Sequence, residues 1–284
     1  MRIGRNNLLF VLPALALISL TSCEPTTAPT QLQESIIHYR AAWSPDSSTI
    51  AFIAYINGTQ GIYAVDTSGS NLRLIYAGDT GGPTWSADSK SLAFSMHLNI
   101  YKIKANGDSL TQISNGGQDV RPSWSRDGKT IAFVSAGISL LDVKTDTIRT
   151  LIGIGDFPSW HPNGLEVVMM VSSGSTFYFY AVRTDSGNAR QLFALNAVGD
   201  ISFASISPTG QEIVFTLATF NDLTQIWKID LVGGVLSKLT DDGGDFAAWS
   251  PDGKKIAYTR TALGDGALWV MNRDGSGKKR VTSP

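Results

Sequence analysis

Trp249-Ser-Pro-Asp-Gly-Lys-Lys-Ile-Ala-Tyr258 sets turn-forming residues between an aromatic residue and an apolar run, which reads as two strands joined by a tight turn. Five more copies of the phrase precede it: Trp43-Ser-Pro-Asp-Ser-Ser-Thr-Ile-Ala-Phe52, Trp85-Ser-Ala-Asp-Ser-Lys-Ser-Leu-Ala-Phe94, Trp124-Ser-Arg-Asp-Gly-Lys-Thr-Ile-Ala-Phe133, Trp160-His-Pro-Asn-Gly-Leu-Glu-Val-Val-Met169 and Ile206-Ser-Pro-Thr-Gly-Gln-Glu-Ile-Val-Phe215. Successive copies begin 42, 39, 36, 46 and 43 residues apart. A fixed period of about 40 residues marks a repeat architecture. After each copy comes another short apolar strand, as in Asn99-Ile-Tyr-Lys-Ile103 and Gln225-Ile-Trp-Lys-Ile-Asp230, and a last one closes the unit, as in Leu110-Thr-Gln-Ile113 and Leu236-Ser-Lys-Leu239. Four short strands in each of six units, with no helical periodicity between them, predict an all-β, six-bladed β-propeller of four-stranded antiparallel blades.

The residues leading into each phrase support this geometry. One position before the Trp stand Ala42, Thr84, Ser123, Ser159, Ser205 and Ala248; two before stand Ala41, Pro83, Pro122, Pro158, Ala204 and Ala247. Blades converge on the propeller axis, so the innermost strand takes compact side chains and tolerates proline on its unpaired edge. The Trp that follows belongs wider out, between blades, where an aromatic buries about 150–250 Å². Ile206 in the fifth copy keeps apolar packing and loses stacking, which favours interior packing over a ligand platform.

Residues 1–22 read as a signal peptide: Arg2 and Arg5 are followed by an apolar stretch from Leu8 to Leu20. At about 1.5 Å per helical residue that stretch falls short of a bilayer core of about 30 Å. Leu20-Thr-Ser-Cys23 resembles the lipobox of bacterial lipoproteins, which implies that Cys23 is lipidated and becomes the new N-terminus. Cys23 is the single cysteine, so no intramolecular disulfide is available. Residues 23–36 then form a Pro/Thr-rich tether, and residues 37–284 are expected to be consumed by the propeller, with no room for a second domain. Glu24 after the cysteine favours an outer-membrane address. The expected location is the bacterial cell envelope, with the membrane reached through the lipid alone.

A formal net charge of −1 argues against nucleic acid as a partner. Gly128-Lys129-Thr130 looks like the end of a phosphate loop, but Ser123 stands where the first glycine belongs, and no Gly-x-Ser-x-Gly elbow occurs. His38, His97 and His161 lack metal-ligand spacing. Asp46, Asp88, Asp127 and Asp252 lie in the turns, where Asp normally bonds its own backbone; no cofactor is expected, with calcium or another cation in the channel left as the alternative.

One column of residues points to a site. An acid precedes most Trp positions, at Asp79, Asp119, Asp156, Asp200 and Asp245, with His38 at the matching place in the first unit. These connections should emerge on one face, around the channel mouth, and five carboxylates there would form an acidic ring whose mutual repulsion raises at least one pKa. Three positions before the Trp stand Arg40, Gly82, Arg121, Phe157, Phe203 and Phe246, which would line the channel with two arginines on one side and three phenylalanines on the other. The arginines are the internal candidates to neutralise the ring. His97, in the loop Ser95-Met-His-Leu-Asn99, should open on the same face.

The phrase at Trp249–Tyr258 and Trp124–Phe133, the following Ile-Tyr-x-x-Asp strand and the Leu239-Thr240 ending make the chain similar to the TolB-type propeller family. That resemblance covers residues 38–284 and implies the propeller fold and, through the propeller, binding of a protein in the cell envelope. The same repeat occurs in propellers of prolyl-oligopeptidase-like peptidases and some polysaccharide lyases, so it specifies architecture better than chemistry. The expected function is a non-catalytic envelope lipoprotein that binds a protein or peptide at its channel face. The alternative is an envelope enzyme acting on glycans or peptides at the channel mouth, with His38, His97 and the aspartates as acid–base groups.

Overall fold

The computed structural model describes residues 38–219, 223–260 and 266–282. Twenty-four strands there form six four-stranded antiparallel sheets, each built from consecutive strands in order from the innermost outward. The innermost strands are His38–Trp43, Thr84–Trp85, Val120–Trp124, Asp156–Trp160, Asp200–Ile206 and Asp245–Trp249, and they open blades 1 to 6 in turn. The expected six-bladed propeller is what the chain forms.

The repeated phrase owes its residues to one turn. Ser44 Oγ donates to Asp46 at 2.6 Å and accepts from the Thr49 N–H at 3.0 Å, while Asp46 also accepts from the Ser48 N–H at 2.9 Å. The same closed set recurs at Ser86/Asp88, Ser125/Asp127 and Ser250/Asp252. The turn acids are therefore satisfied by the turn itself, each held below the ordinary carboxylate range first by its Ser hydroxyl. Thr240 of the Leu-Thr ending has a comparable job: its hydroxyl accepts the Ile226 N–H at 2.9 Å, tying the end of blade 5 to its third strand.

The core is divided among the interfaces between blades. Ile113 and Ile100 of blade 2 pack with Trp124, Ile131 and Phe133 of blade 3, and the other interfaces repeat the pattern. Trp85, Trp124, Trp160 and Trp249 are buried there, as is Ile206. Three of the indoles also bond across to the preceding blade's innermost strand: Trp85 to the Ala42 carbonyl at 3.0 Å, Trp160 to Ser123 at 2.9 Å and Trp249 to Ser205 at 3.3 Å. That bond explains why Trp is chosen over Phe. Trp124 turns instead to Gly128 of its own turn, at 3.1 Å.

Blade 6 takes all four strands from Asp245–Trp249 onward, so among the described residues no strand is exchanged at the ring closure. Blades 6 and 1 are joined by packing: Ile50, Phe52 and Val65 meet Ala257, Leu268 and Val281. A backbone approach repeats around the ring as well. A Cβ on Gly107 or Gly275 would come to 2.9–3.0 Å from the Ile75 or Leu239 carbonyl oxygen of the preceding blade, and one on Gly69 to 2.5 Å from that of Val281. The seam thus uses the same contact as the interfaces between blades 1 and 2 and between blades 5 and 6. The Trp43 indole N–H is buried there with no hydrogen-bond partner among the described residues.

Candidate functional site: the channel mouth

In five of the six innermost strands the residue three places before the Trp position lies in the left-handed region: Arg40 (φ 51°), Arg121 (55°), Phe157 (52°), Phe203 (53°) and Phe246 (57°). Non-glycine residues adopt this conformation at a cost of about 1–2 kcal/mol each. Its local cause is a β-bulge. Between Asp156 and Ser159, for example, two residues face one on the neighbouring strand, and matching register shifts occur in blades 1, 3, 5 and 6. A bulge of this kind re-aims a side chain, and here it turns Arg or Phe toward the axis. Blade 2 is the exception, with Gly82 in that place and an innermost strand reduced to Thr84–Trp85.

The five side chains line a cavity of about 260 Å³ at one mouth of the channel, above a collar of Pro83, Pro122, Pro158 and small residues. Phe203 is central, with its ring centroid 5.3 Å from that of Phe157 and 4.3 Å from that of Phe246. The Arg121 guanidinium lies 4.4 Å from the Phe157 centroid and bonds Asp156 Oδ1 at 2.6 Å. Arg40 starts on blade 1 and reaches across to Phe203 of blade 5, 5.0 Å from its centroid. Its stem fills the space left by Gly82, where a Cβ would meet Arg40 Cδ at 2.6 Å. Burial and the nearby Arg121 push the Arg40 pKa down, against the pull of Asp156 and Asp245.

The acids do not assemble into a ring. They stand four, five or six residues ahead of the Trp position in different units, so blade geometry does not superpose them. Asp119 is buried and accepts the Gly116 N–H at 2.9 Å. Asp79 is exposed and accepts from Gln60 Nε2 at 3.0 Å, and Asp200 is exposed. Asp156 and Asp245 stand directly before two of the mouth phenylalanines, and each accepts the N–H of the following phenylalanine, at 2.7 and 2.8 Å, and so stabilises its bulge. Asp245 also accepts from Thr216 Oγ1 at 2.9 Å. Its pKa is raised, as expected for one acid, but the cause is burial rather than repulsion among carboxylates. Arg121, one of the two candidates to neutralise the acids, pairs with Asp156 of the next blade and not with Asp119 of its own.

His97 is exposed in a two-residue hairpin turn with Leu98, both residues left-handed (φ 50° and 58°). The turn is on the expected face, since the Leu98 carbonyl accepts the Asp119 N–H at 2.8 Å, but His97 does not line the cavity. His38 opens the first innermost strand, and its side chain is outside the described residues, as is Cys23. Among the described residues no three His, Cys, Asp or Glu side chains gather where a metal ion could be held. The opposite mouth carries a second cavity of about 370 Å³, lined by Trp43, Trp124, Arg126 and Pro45, Pro208 and Pro251 from the turns. Sequence reasoning did not single it out.

A ring of blades whose concave, chemically mixed surface lies at the channel mouth defines the class: a six-bladed β-propeller. Within it, residues 27–137 match the TolB beta propeller domain. Among solved structures the chain is similar to a putative TolB from Agrobacterium tumefaciens, at 20% identity and a TM-score of 0.67, over 76% of this chain and 86% of that one. It is similar also to TolB from Acinetobacter baumannii, at 18% identity and a TM-score of 0.65, over 86% of this chain and 62% of that one. An oligogalacturonate lyase in complex with manganese shares 14% identity at a TM-score of 0.54, over 86% of this chain and 77% of that one. At these identities the likeness is one of fold.

Proposed function

We propose that this protein is a non-catalytic binding module of the bacterial cell envelope, tethered by lipid on Cys23, which takes a protein or peptide at the mouth lined by Arg40, Arg121, Phe157, Phe203 and Phe246. One observation carries the reading. Five bulky or charged side chains are held toward one cavity by strained, left-handed backbone in a position where glycine would be free of strain. Strain of this kind gathers at ligand clamps and is kept where the presented side chain matters. The TolB-type repeat supports a scaffold and binding role in general.

Catalysis at the mouth has less support. Acid–base work needs at least two titratable groups converging over a pocket, whereas Asp156 is engaged by Arg121 and backbone, and Asp245 by Thr216 and backbone. The test is chemical crosslinking in intact envelopes followed by purification of the tagged protein, wild type beside Phe203→Ala and Phe246→Ala. A specific adduct lost in both variants, with folding retained by circular dichroism, is the expected result. An adduct of equal yield in all three would place binding elsewhere.

A further inference from the structure

Arg40 and Arg121 share a repeat position and a left-handed backbone, yet their surroundings differ. Arg121 has its carboxylate, Asp156. Arg40 has an aromatic face at 5.0 Å and, among the described residues, no hydrogen bond or ion pair. The acids nearest to it are taken: Asp156 by Arg121, and Asp245 by Thr216 and the Phe246 N–H. A guanidinium offers five N–H donors in a fixed fork that fits a carboxylate in two parallel bonds. Here that fork is fixed in place by the pocket over Gly82 and the Phe203 ring, and it borders a cavity lined also by Phe157, Phe246, three prolines and the already paired Arg121.

We infer that Arg40 is the charged anchor of the mouth: it accepts a carboxylate from a peptide whose adjacent apolar side chain packs against Phe157, Phe203 and Phe246. This rests on the reading of the mouth as a peptide site and names the chemistry the peptide must carry. The carboxylate can come from an Asp or Glu side chain or from a chain terminus, since both present the same two oxygens. A peptide suits the walls better than a sugar acid. The three rings meet one another tilted or edge-on, between 56° and 68°, which leaves a cleft for a side chain rather than a flat platform for a pyranose.

The test is titration of the full-length protein in neutral detergent micelles, by calorimetry, with short probes. One pair is acetylated, amidated Gly-Gly-Phe-Glu-Gly and its Gln counterpart. The other is acetylated Gly-Gly-Gly-Phe with a free or an amidated C-terminus, and digalacturonate is the sugar-acid control. At least one carboxylate probe should bind about tenfold more tightly than its neutral twin, as a charge-assisted pair replacing a neutral contact implies. Whichever pair shows the preference identifies the source. Arg40→Met, which keeps the stem over Gly82, should erase the preference of the charged over the neutral probe; Phe203→Leu should weaken both probes alike. Should Arg40→Met fail to fold, Arg40→Lys serves, with the preference reduced and not abolished.

Equal affinity for charged and neutral twins in the wild type, or a preference that survives Arg40→Met, overturns the role of Arg40. The peptide reading then stands if the neutral probe still depends on Phe203. Tighter binding of digalacturonate than of every peptide, or no binding of any probe, overturns both.

Discussion

Gly69→Ala tests how the ring is shut. Gly69 sits at φ +93°, and a Cβ there would come to 2.5 Å from the Val281 carbonyl oxygen, a backbone atom of the last blade. Two costs combine. A left-handed alanine costs about 1–2 kcal/mol, and forcing two backbones apart in a packed interface adds about 1–3 kcal/mol. Gly174→Ala is the matched control, because it too is left-handed (φ +61°) but nothing lies within 4 Å of its Cβ. It carries the first cost alone. The expected destabilisation is therefore about 2–5 kcal/mol at Gly69 against about 1–2 kcal/mol at Gly174. In urea, with a slope of about 2–3 kcal/mol per M for a chain of this size, the Gly69 midpoint should fall by about 1 M or more, read by circular dichroism. Equal shifts in the two variants would refute closure of blade 6 onto blade 1 through this contact.

Trp85→Phe should cost about 1 kcal/mol more than Trp43→Phe, because the first loses a cross-blade hydrogen bond at 3.0 Å and the second removes a buried N–H that has no partner among the described residues; equal urea midpoints would contradict that bonding pattern. Glu166, buried against Arg190 and Asn163, has its pKa lowered to about 2, first by the Arg190 hydrogen bonds. A carboxyl whose folded pKa is depressed contributes stability that is full above its unfolded value of about 4.3 and is lost as pH falls toward 2. Glu166→Gln should therefore flatten the loss of stability between pH 5 and pH 2, and an unchanged pH profile would speak against the pairing. Cys23→Ser should leave an unprocessed precursor or release a soluble form, assayed by membrane fractionation; unchanged retention would contradict lipid anchoring.

The blades were legible because the same phrase is written six times, and errors in any one copy are outvoted by the others. The Ser-x-Asp turn shows why the phrase is so regular: Ser44 and Asp46 complete one another's hydrogen bonds within six residues, so local sequence suffices. The interfacial Trp positions were legible for a related reason, since their small neighbours at the channel and their spacing fix a radius. The mouth was legible only in part. The Arg/Phe column was visible as an asymmetry, but its left-handed backbone was hidden, because none of the five residues that adopt it is a glycine. The five aspartates, alike in sequence, meet different partners: Gln60 at Asp79, the Gly116 N–H at Asp119, and Arg121 and Thr216 at Asp156 and Asp245. Asp79 and Asp200, six residues ahead, are exposed, whereas Asp156 and Asp245, four ahead, are held at the bulge. The pairing of Arg121 with Asp156 joins adjacent blades, and no spacing rule within one unit reveals it.

Site-specific photo-crosslinking from the two mouths in living cells tests the central claim most directly. A photoreactive phenylalanine analogue placed at Phe246, on the arginine- and phenylalanine-lined mouth, is compared with the same analogue at Pro251, on the opposite mouth. A discrete, light-dependent adduct from position 246 and none from position 251 is the predicted result. An adduct from position 251 alone would contradict the account and move the binding face to the other end of the channel.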